Sequence, residues 1–136
     1  MSRRVLDAWA VLAWLQNERP AADRVGAMLA EAEEGRTRLL INIVNVGEVY
    51  YRVMRARSEE EAEALLRDMR GWPLRIVPAG NRLVLSAARL KGRYRLSYAD
   101  AFAVATALRE RAVLVTGDPE IGALGGGVVD VEWIRK

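Results

Sequence analysis

Residues 96–118 read LSYADAFAVATALRERAVLVTGD, and this stretch decides the fold. Ala99, Phe102, Ala103, Thr106 and Ala107 recur at i, i+3, i+4, i+7 and i+8, which predicts a helix burying that face. Asp100 falls in its first turn. Arg109, Glu110 and Arg111 form a polar end, and the two cations suit a helix C-terminus. Residues 112–115 are a short apolar run, as expected of a strand covered on both faces. The run stops at Thr116-Gly117-Asp118-Pro119. One acid therefore stands where a helix begins and another where a strand ends. In a parallel α/β sheet those two places share the edge at which ligands bind.

The same alternation extends through the chain. Residues 4–7 predict a first strand, followed by a helix from 8 to about 17. Pro20 suits the first turn of a helix that runs to about residue 34 and stops at Gly35. Residues 39–41 predict the second strand, and a helix follows from 44 to about 55. Ser58 with Glu61 three positions later makes a capping-box pattern for a helix ended by Gly71. Residues 74–77 predict a third strand, and 81 to about 91 a helix. Residues 92–95, Gly-Arg-Tyr-Arg, read as a basic loop. Residues 119–124 predict a helical turn, the glycines at 125–127 a turn, and 128–131 a last, edge strand. Alternating strands and helices imply an α/β fold, with a mainly parallel sheet of about five strands and helices on both faces. No repeat or linker interrupts the 136 residues, so they read as a single domain.

Composition narrows the chemistry. The chain has no cysteine and no histidine, which removes disulfides, thiolate zinc sites and every Ser-His-Asp arrangement. A metal would need oxygen ligands, which favours magnesium or manganese. Of the 21 cations, all but Lys91 and Lys136 are arginine, a residue suited to bidentate phosphate contacts. The net charge of +3 is too small to imply nucleic-acid binding by itself. No apolar run approaches the roughly 20 residues of a membrane helix. The two N-terminal arginines and following apolar stretch mimic a signal peptide, but Asp7 interrupts the run and no small-residue cleavage site follows. A cytoplasmic protein without membrane contacts is expected.

Four acids stand among apolar neighbours: Asp7 in VLDAWAVLAWL, Glu48 in NIVNVGEVYY, Asp100 in YADAFAVATA and Asp118 after VLVTG. The remaining acids mostly lie in charged runs such as 31–34 and 59–63, typical of solvated faces. Each of the four has a structural explanation when taken singly. Asp7 can cap the next helix, Asp100 suits a helix N-terminus, Asp118 suits a turn, and Glu48 can pair with Arg52 at i+4. Together at one sheet edge they would repel one another and raise one another's pKa. A divalent cation resolves that conflict and can activate water against phosphorus.

The order and settings of these acids resemble the PIN-domain family of metal-dependent ribonucleases, especially the VapC-type toxins of bacterial and archaeal toxin–antitoxin modules. The resemblance extends from VLDAWAVLAWL through NVGEVYYRV and LSYADAFAVATA to LVTGDPEI. It implies a three-layer α/β/α sandwich and a Mg²⁺- or Mn²⁺-dependent endoribonuclease. Asp7, Glu48, Asp100 and Asp118 would be its catalytic and metal-binding acids, with Thr116 and Asn45 in support. It also implies an RNA substrate, an antitoxin that lays a segment across the active site, and a homodimer. Trp9 departs from the pattern, because many members carry a small hydroxyl residue two positions after the first aspartate. Arg52, Arg55, Arg57, Arg93 and Arg95 are candidate phosphate contacts. Tyr50, Tyr51, Tyr94 and Tyr98 are candidate stacking surfaces for bases. The alternative is a non-catalytic PIN-like module that holds RNA or a protein, although a negative pocket does not favour phosphate binding. A receiver-like phosphotransfer domain would want adjacent acids after the first strand and a late lysine, which this chain lacks.

Overall fold

The computed structural model describes residues 1–124 and 126–136. In chain order its elements are β1 (Ser2–Leu6), α1 (Ala8–Leu15), α2 (Ala21–Glu33), β2 (Thr37–Asn42), α3 (Ile43–Ala56) and α4 (Glu59–Met69). They continue with β3 (Arg75–Val77), α5 (Asn81–Arg93), α6 (Tyr98–Glu110), β4 (Val113–Thr116), α7 (Pro119–Gly122) and β5 (Val131–Trp133). The five strands form one sheet in the order β3-β2-β1-β4-β5, and every neighbouring pair is parallel.

Side-chain alternation divides the core into two layers. Val5, Leu40, Val77 and Leu114 point to the face covered by α5 and α6. Leu6, Leu39, Ile41 and Val115 point to the face covered by α1 to α4. The chain builds outward from β1 to β2 and β3, then crosses back to place β4 on the other side of β1. The C-terminal ends of β1 and β4 thus flank the point where strand order reverses, the usual position of a ligand crevice.

Local chemistry sets the element ends. Asp7, Asn42, Ser58, Ser97 and Asp118 each accept a backbone N–H as N-cap residues. Ser58 accepts from Glu61 N at 3.1 Å, one half of the expected capping box. Gly35 follows α2 with φ +77°, the left-handed conformation that ends helices at little cost to glycine.

Three expectations change. Every residue of α6 from Asp100 to Ala107 is buried, so this helix is enclosed rather than one-faced. Alanine makes that possible, because small side chains let α5, α3 and the sheet approach on different sides. The basic stretch at 92–95 is half helix: α5 continues through Gly92 and Arg93, and Tyr94 N closes on Leu90 O at 2.9 Å. Lys91 and Arg93 favour that extra turn through the negative end of the helix, and Lys91 Nζ ties down Leu96 O at 2.9 Å.

The last strand is Val131–Trp133, not 128–131. Val129 is buried against the α5/α6 layer before the ladder begins. The pairs are Leu114 with Val131, Val115 with Glu132 and Thr116 with Trp133. Apolar residues therefore marked burial here and not strand pairing. Of the expected glycine turn, Gly125 lies outside the described residues.

Beyond β5, Ile134 is fully buried in the α1–α4 layer, and its N–H donates to Thr116 O at 3.1 Å. This single side chain anchors the C-terminal end beside β4. Ile134→Ala is expected to cost about 2–5 kcal/mol by leaving a cavity, measurable as a lower urea midpoint with an unchanged m-value.

Candidate active site

Asp7 leaves β1 and caps α1, with its Oδ1 accepting from Ala10 N at 2.8 Å. Its Oδ2 accepts a hydrogen bond from Thr116 Oγ1 at the end of β4. The same Thr116 oxygen accepts from Asp118 N at 2.9 Å. Thr116 thus connects two acids from different parts of the chain and fixes the orientation of the first. Asp7 is 1% exposed. Burial raises its pKa from 3.8 to about 7, against the opposing effect of its two hydrogen bonds, and Asp118 and Glu48 push it further up.

Asp100 enters from the first turn of α6, placed there by Ser97, whose Oγ accepts Asp100 N at 3.1 Å. It too is buried. Burial is the largest cause that lifts its carboxyl to about 9, followed by the charge of Asp118 and hydrogen bonds with Glu120 and Asp118. Oxygen atoms of Asp100, Asp118 and Glu120 lie within 4.8 Å of one another.

Glu120 is the acid that sequence reading missed. It sits in the first turn of α7, and its Oε1 accepts Ser97 N at 3.2 Å. The signal was present in Asp118-Pro119-Glu120: a short helix starting at Asp118 turns the residue two positions on back toward the same edge. From the sequence it is placed only within the helical turn of 119–124 and given no role.

Glu48 comes from α3. Its carboxylate pairs with Arg52 Nε at 3.0 Å, the i+4 bridge foreseen from spacing. The Glu48 side chain is 16% exposed and that of Arg52 is 55% exposed. The arginine end of the pair is open to water, which weakens the bridge and lets Arg52 rearrange. Glu48 therefore faces Asp7 but lies outside the tight trio of Asp100, Asp118 and Glu120.

Asn45 is fully buried one turn earlier, and its Nδ2 donates to Ala99 O at 3.0 Å. It joins α3 to the residue preceding Asp100. Its Oδ1 has no hydrogen-bond partner among the described residues.

Glu48, Asp100 and Asp118 open into a cleft of about 210 Å³, shared with Trp9 and Arg52. Of the expected phosphate contacts, Arg52 lines this cleft, and Arg55, Arg57, Arg93 and Arg95 do not. Arg55 instead lies over the Tyr51 ring, 5.1 Å from its centroid. Tyr50 donates to Glu63 Oε1 at 2.7 Å, and Tyr98 packs against Phe102. None of the four tyrosines lines the acidic cleft. Next to it, Leu12, Leu15, Tyr51, Arg55, Ala56 and Leu65 line a larger, more apolar groove of about 660 Å³. Trp14 packs edge-on to Trp72 at 5.0 Å, so its ring belongs to the core layer.

The donor set is all oxygen, and its burial disfavours ionisation unless a cation compensates. Both properties fit a hard divalent ion. Asp100, Asp118 and Glu120 can approach one ion together, while Asp7 and Glu48 approach from the α1–α3 side.

Solved structures with this fold include the DNA-bound VapBC complex of Salmonella typhimurium, at TM-score 0.73 and 12% identity over 99% of this chain and 100% of that one. VapBC2 of Rickettsia felis, bound to a fragment of its promoter, matches at TM-score 0.72 and 16% identity over 98% and 99%. VapC20 of Mycobacterium tuberculosis, described as a sarcin–ricin loop cleaving toxin, matches at TM-score 0.69 and 17% identity over 93% and 98%. At these identities the likeness is one of fold. No curated protein matches in sequence. The PIN domain family matches across residues 4–126, a range that includes β2, β3, β4 and every acid of the site described above, and the chain belongs to that family.

Proposed function

We propose that this chain is an endoribonuclease that hydrolyses RNA phosphodiester bonds with Mg²⁺ or Mn²⁺, acting as the toxin of a VapBC-type module. The observation that carries the reading is the convergence of Asp7, Glu48, Asp100 and Asp118, joined by Glu120, at one sheet edge, with Glu48, Asp100 and Asp118 lining a shared cleft. A binding module gains nothing from carboxylates packed so closely that two of them resist ionisation. The fold neighbours that are toxin–antitoxin complexes, and the one described as a loop-cleaving toxin, support the same reading.

In this proposal Asp100, Asp118 and Glu120 hold the ion, with Asp7 and Glu48 completing the site directly or through water. The ion would neutralise charge on the phosphate and acidify the attacking water. Thr116 keeps the Asp7 carboxylate aimed, and Asn45 keeps the first turn of α6 in place. With no histidine available, one of the acids takes the proton from water. The groove beside the cleft suits an antitoxin segment: its apolar wall would take side chains, and Arg52 links it to the acids. The chain would act as one domain, as a homodimer, in the cytoplasm. Among the described residues no helix is long and apolar enough to cross a membrane.

Incubation of mixed RNA oligomers with Mg²⁺ or Mn²⁺ is expected to give cleavage that EDTA abolishes and Asp100→Asn reduces by at least about 10²-fold, the order expected for loss of a key electrostatic group. Glu120→Gln should weaken Mn²⁺ binding measured calorimetrically as well as slow cleavage. Activity that survives EDTA and Asp100→Asn would end the proposal.

A second expectation concerns stability. In EDTA, the unfolded chain releases the protons of Asp7 and Asp100 near pH 3.8, whereas the folded chain keeps them to about pH 7 and 9. These two groups therefore lower folding stability as pH rises across that window, by on the order of 4 kcal/mol for Asp7. Urea titrations should show Asp100→Asn gaining on the parent chain from pH 5 to pH 9 in EDTA, with Mg²⁺ closing the gap. A gap that does not change with pH would contradict the burial of this carboxyl among acids.

A further inference from the structure

Trp9 is the aromatic residue that lines the acidic cleft, and its surroundings are unusual. Its ring lies so close to Gly117 that a Cβ there would sit 2.5 Å from two of the ring carbons. Gly117 has no left-handed backbone to explain its identity; the approach of the indole does. The ring is thereby fixed against the residue immediately before Asp118. On the same ring lies the guanidinium of Arg135, 5.8 Å from the centroid, with one N–H donating to Gly117 O at 3.4 Å.

Arg135 is brought there by the burial of Ile134 and by the pairing of β5 with β4. It forms no ion pair among the described residues, unlike Arg52 across the cleft, which is held by Glu48. A guanidinium has five donors, and here one is used. The cleft thus has an acidic centre, and beside it a held aromatic ring topped by a flat cation with free donors. The acids repel a polyanion, so the strand must be held by something beside them. A ring and a guanidinium together match a base and its adjoining phosphate.

We propose that Trp9, which lines the cleft, and Arg135, seated on its ring just outside that lining, form a nucleotide-holding wall beside the acids, the indole stacking on a base of single-stranded RNA and the guanidinium binding an adjoining phosphate. The guanidinium now occupies a ring face that accepts a planar group. A base taking that place frees its donors for phosphate. Stacking of this kind tolerates different bases and contributes strongly to single-strand binding. The inference rests on the ribonuclease reading, and it assigns substrate holding to residues outside the acidic set.

Steady-state cleavage of a defined single-stranded RNA with Mn²⁺ tests it, using the full chain and the variants Trp9→Phe, Trp9→Leu, Arg135→Lys and Arg135→Gln. Arg82→Gln, on the exposed surface of α5, serves as control. Trp9→Leu is expected to raise KM about ten-fold with kcat within two-fold, and Trp9→Phe to recover most of the loss. Arg135→Gln should reduce the slope of log KM against log salt by about 0.7, the value for one phosphate contact on a single strand, and Arg135→Lys should restore it. Scanning an abasic nucleotide along the RNA with the parent chain should reveal one position that raises KM as Trp9→Leu does. This measurement stands even if the leucine variant does not fold. Unchanged KM in the variants, or an abasic scan without such a position while the parent chain cuts RNA, overturns the wall alone. A parent chain that neither binds nor cuts RNA overturns the ribonuclease reading and the wall with it.

Discussion

The hydrogen bond from Thr116 to the Asp7 carboxylate links residues 109 positions apart, and the site is organised around it. It exists because β1 and β4 are parallel neighbours in register, Leu6 beside Val115, so that the next residue of each strand emerges at the same edge. Asp7 then turns into α1 by capping it, and Thr116 passes the chain to Asp118 through a second hydrogen bond. Two hydrogen bonds on a fully buried carboxylate compensate part of its desolvation and lock its rotamer. If the strands slipped by one residue, Asp7 and Thr116 would face opposite sides of the sheet. Register, capping and site geometry are therefore a single constraint.

The surrounding structure tolerates a local electrostatic conflict. Asp7 and Asp100 are buried beside other acids, which favours their protonated forms. Ordinary cores avoid this, because an unpaired buried charge is among the larger destabilising features available to a protein. The apolar layers supply the offset: α6 is enclosed from Asp100 to Ala107, and β1 and β4 contribute Val5, Leu6, Leu114 and Val115 with almost no exposed surface. Asp100 stands at the mouth of the most enclosed helix in the chain, so it cannot withdraw into water without unwinding that turn. Ion pairs elsewhere follow a different rule. Arg4 bridges Glu31 at 3.2 Å and Glu132 at 3.1 Å, so each of those acids has a cation beside it.

Much of this architecture is legible in the chain because it rests on short-range signals. The alternation of apolar runs with caps and glycines identifies the strands and helices, and four acids with apolar neighbours point to the edge where carboxyl groups collect. What escaped depends on distance. Glu120 looks like a normal helix-start acid; only the packing of α7 against Ser97 turns it toward Asp100. Arg93 and Arg95 read as contacts because they precede the Asp100 helix, yet neither lines the acidic cleft. Proximity in sequence was a poor guide to proximity in the cleft. The displaced last strand has the same origin, because Val128, Val129 and Val131 are all apolar while only ladder geometry distinguishes a paired residue from a buried one.

That displacement matters beyond bookkeeping of elements. A strand at 128–131 would leave Trp133 to Lys136 as a loose tail. With β5 at Val131–Trp133, the ladder reaches Thr116 and Ile134 continues it by one backbone bond, so Arg135 stops beside Gly117. Arg135 is thereby held against the Trp9 ring through backbone pairing, with its side chain directed by a buried isoleucine and that ring. The same strand that closes one edge of the sheet also sets a cation on the carbonyl of Gly117, the residue before Asp118. The acids and this arginine thus reach neighbouring positions by two independent placements, the acids by the β1–β4 register and the arginine by the β4–β5 register. Neither depends on a local motif.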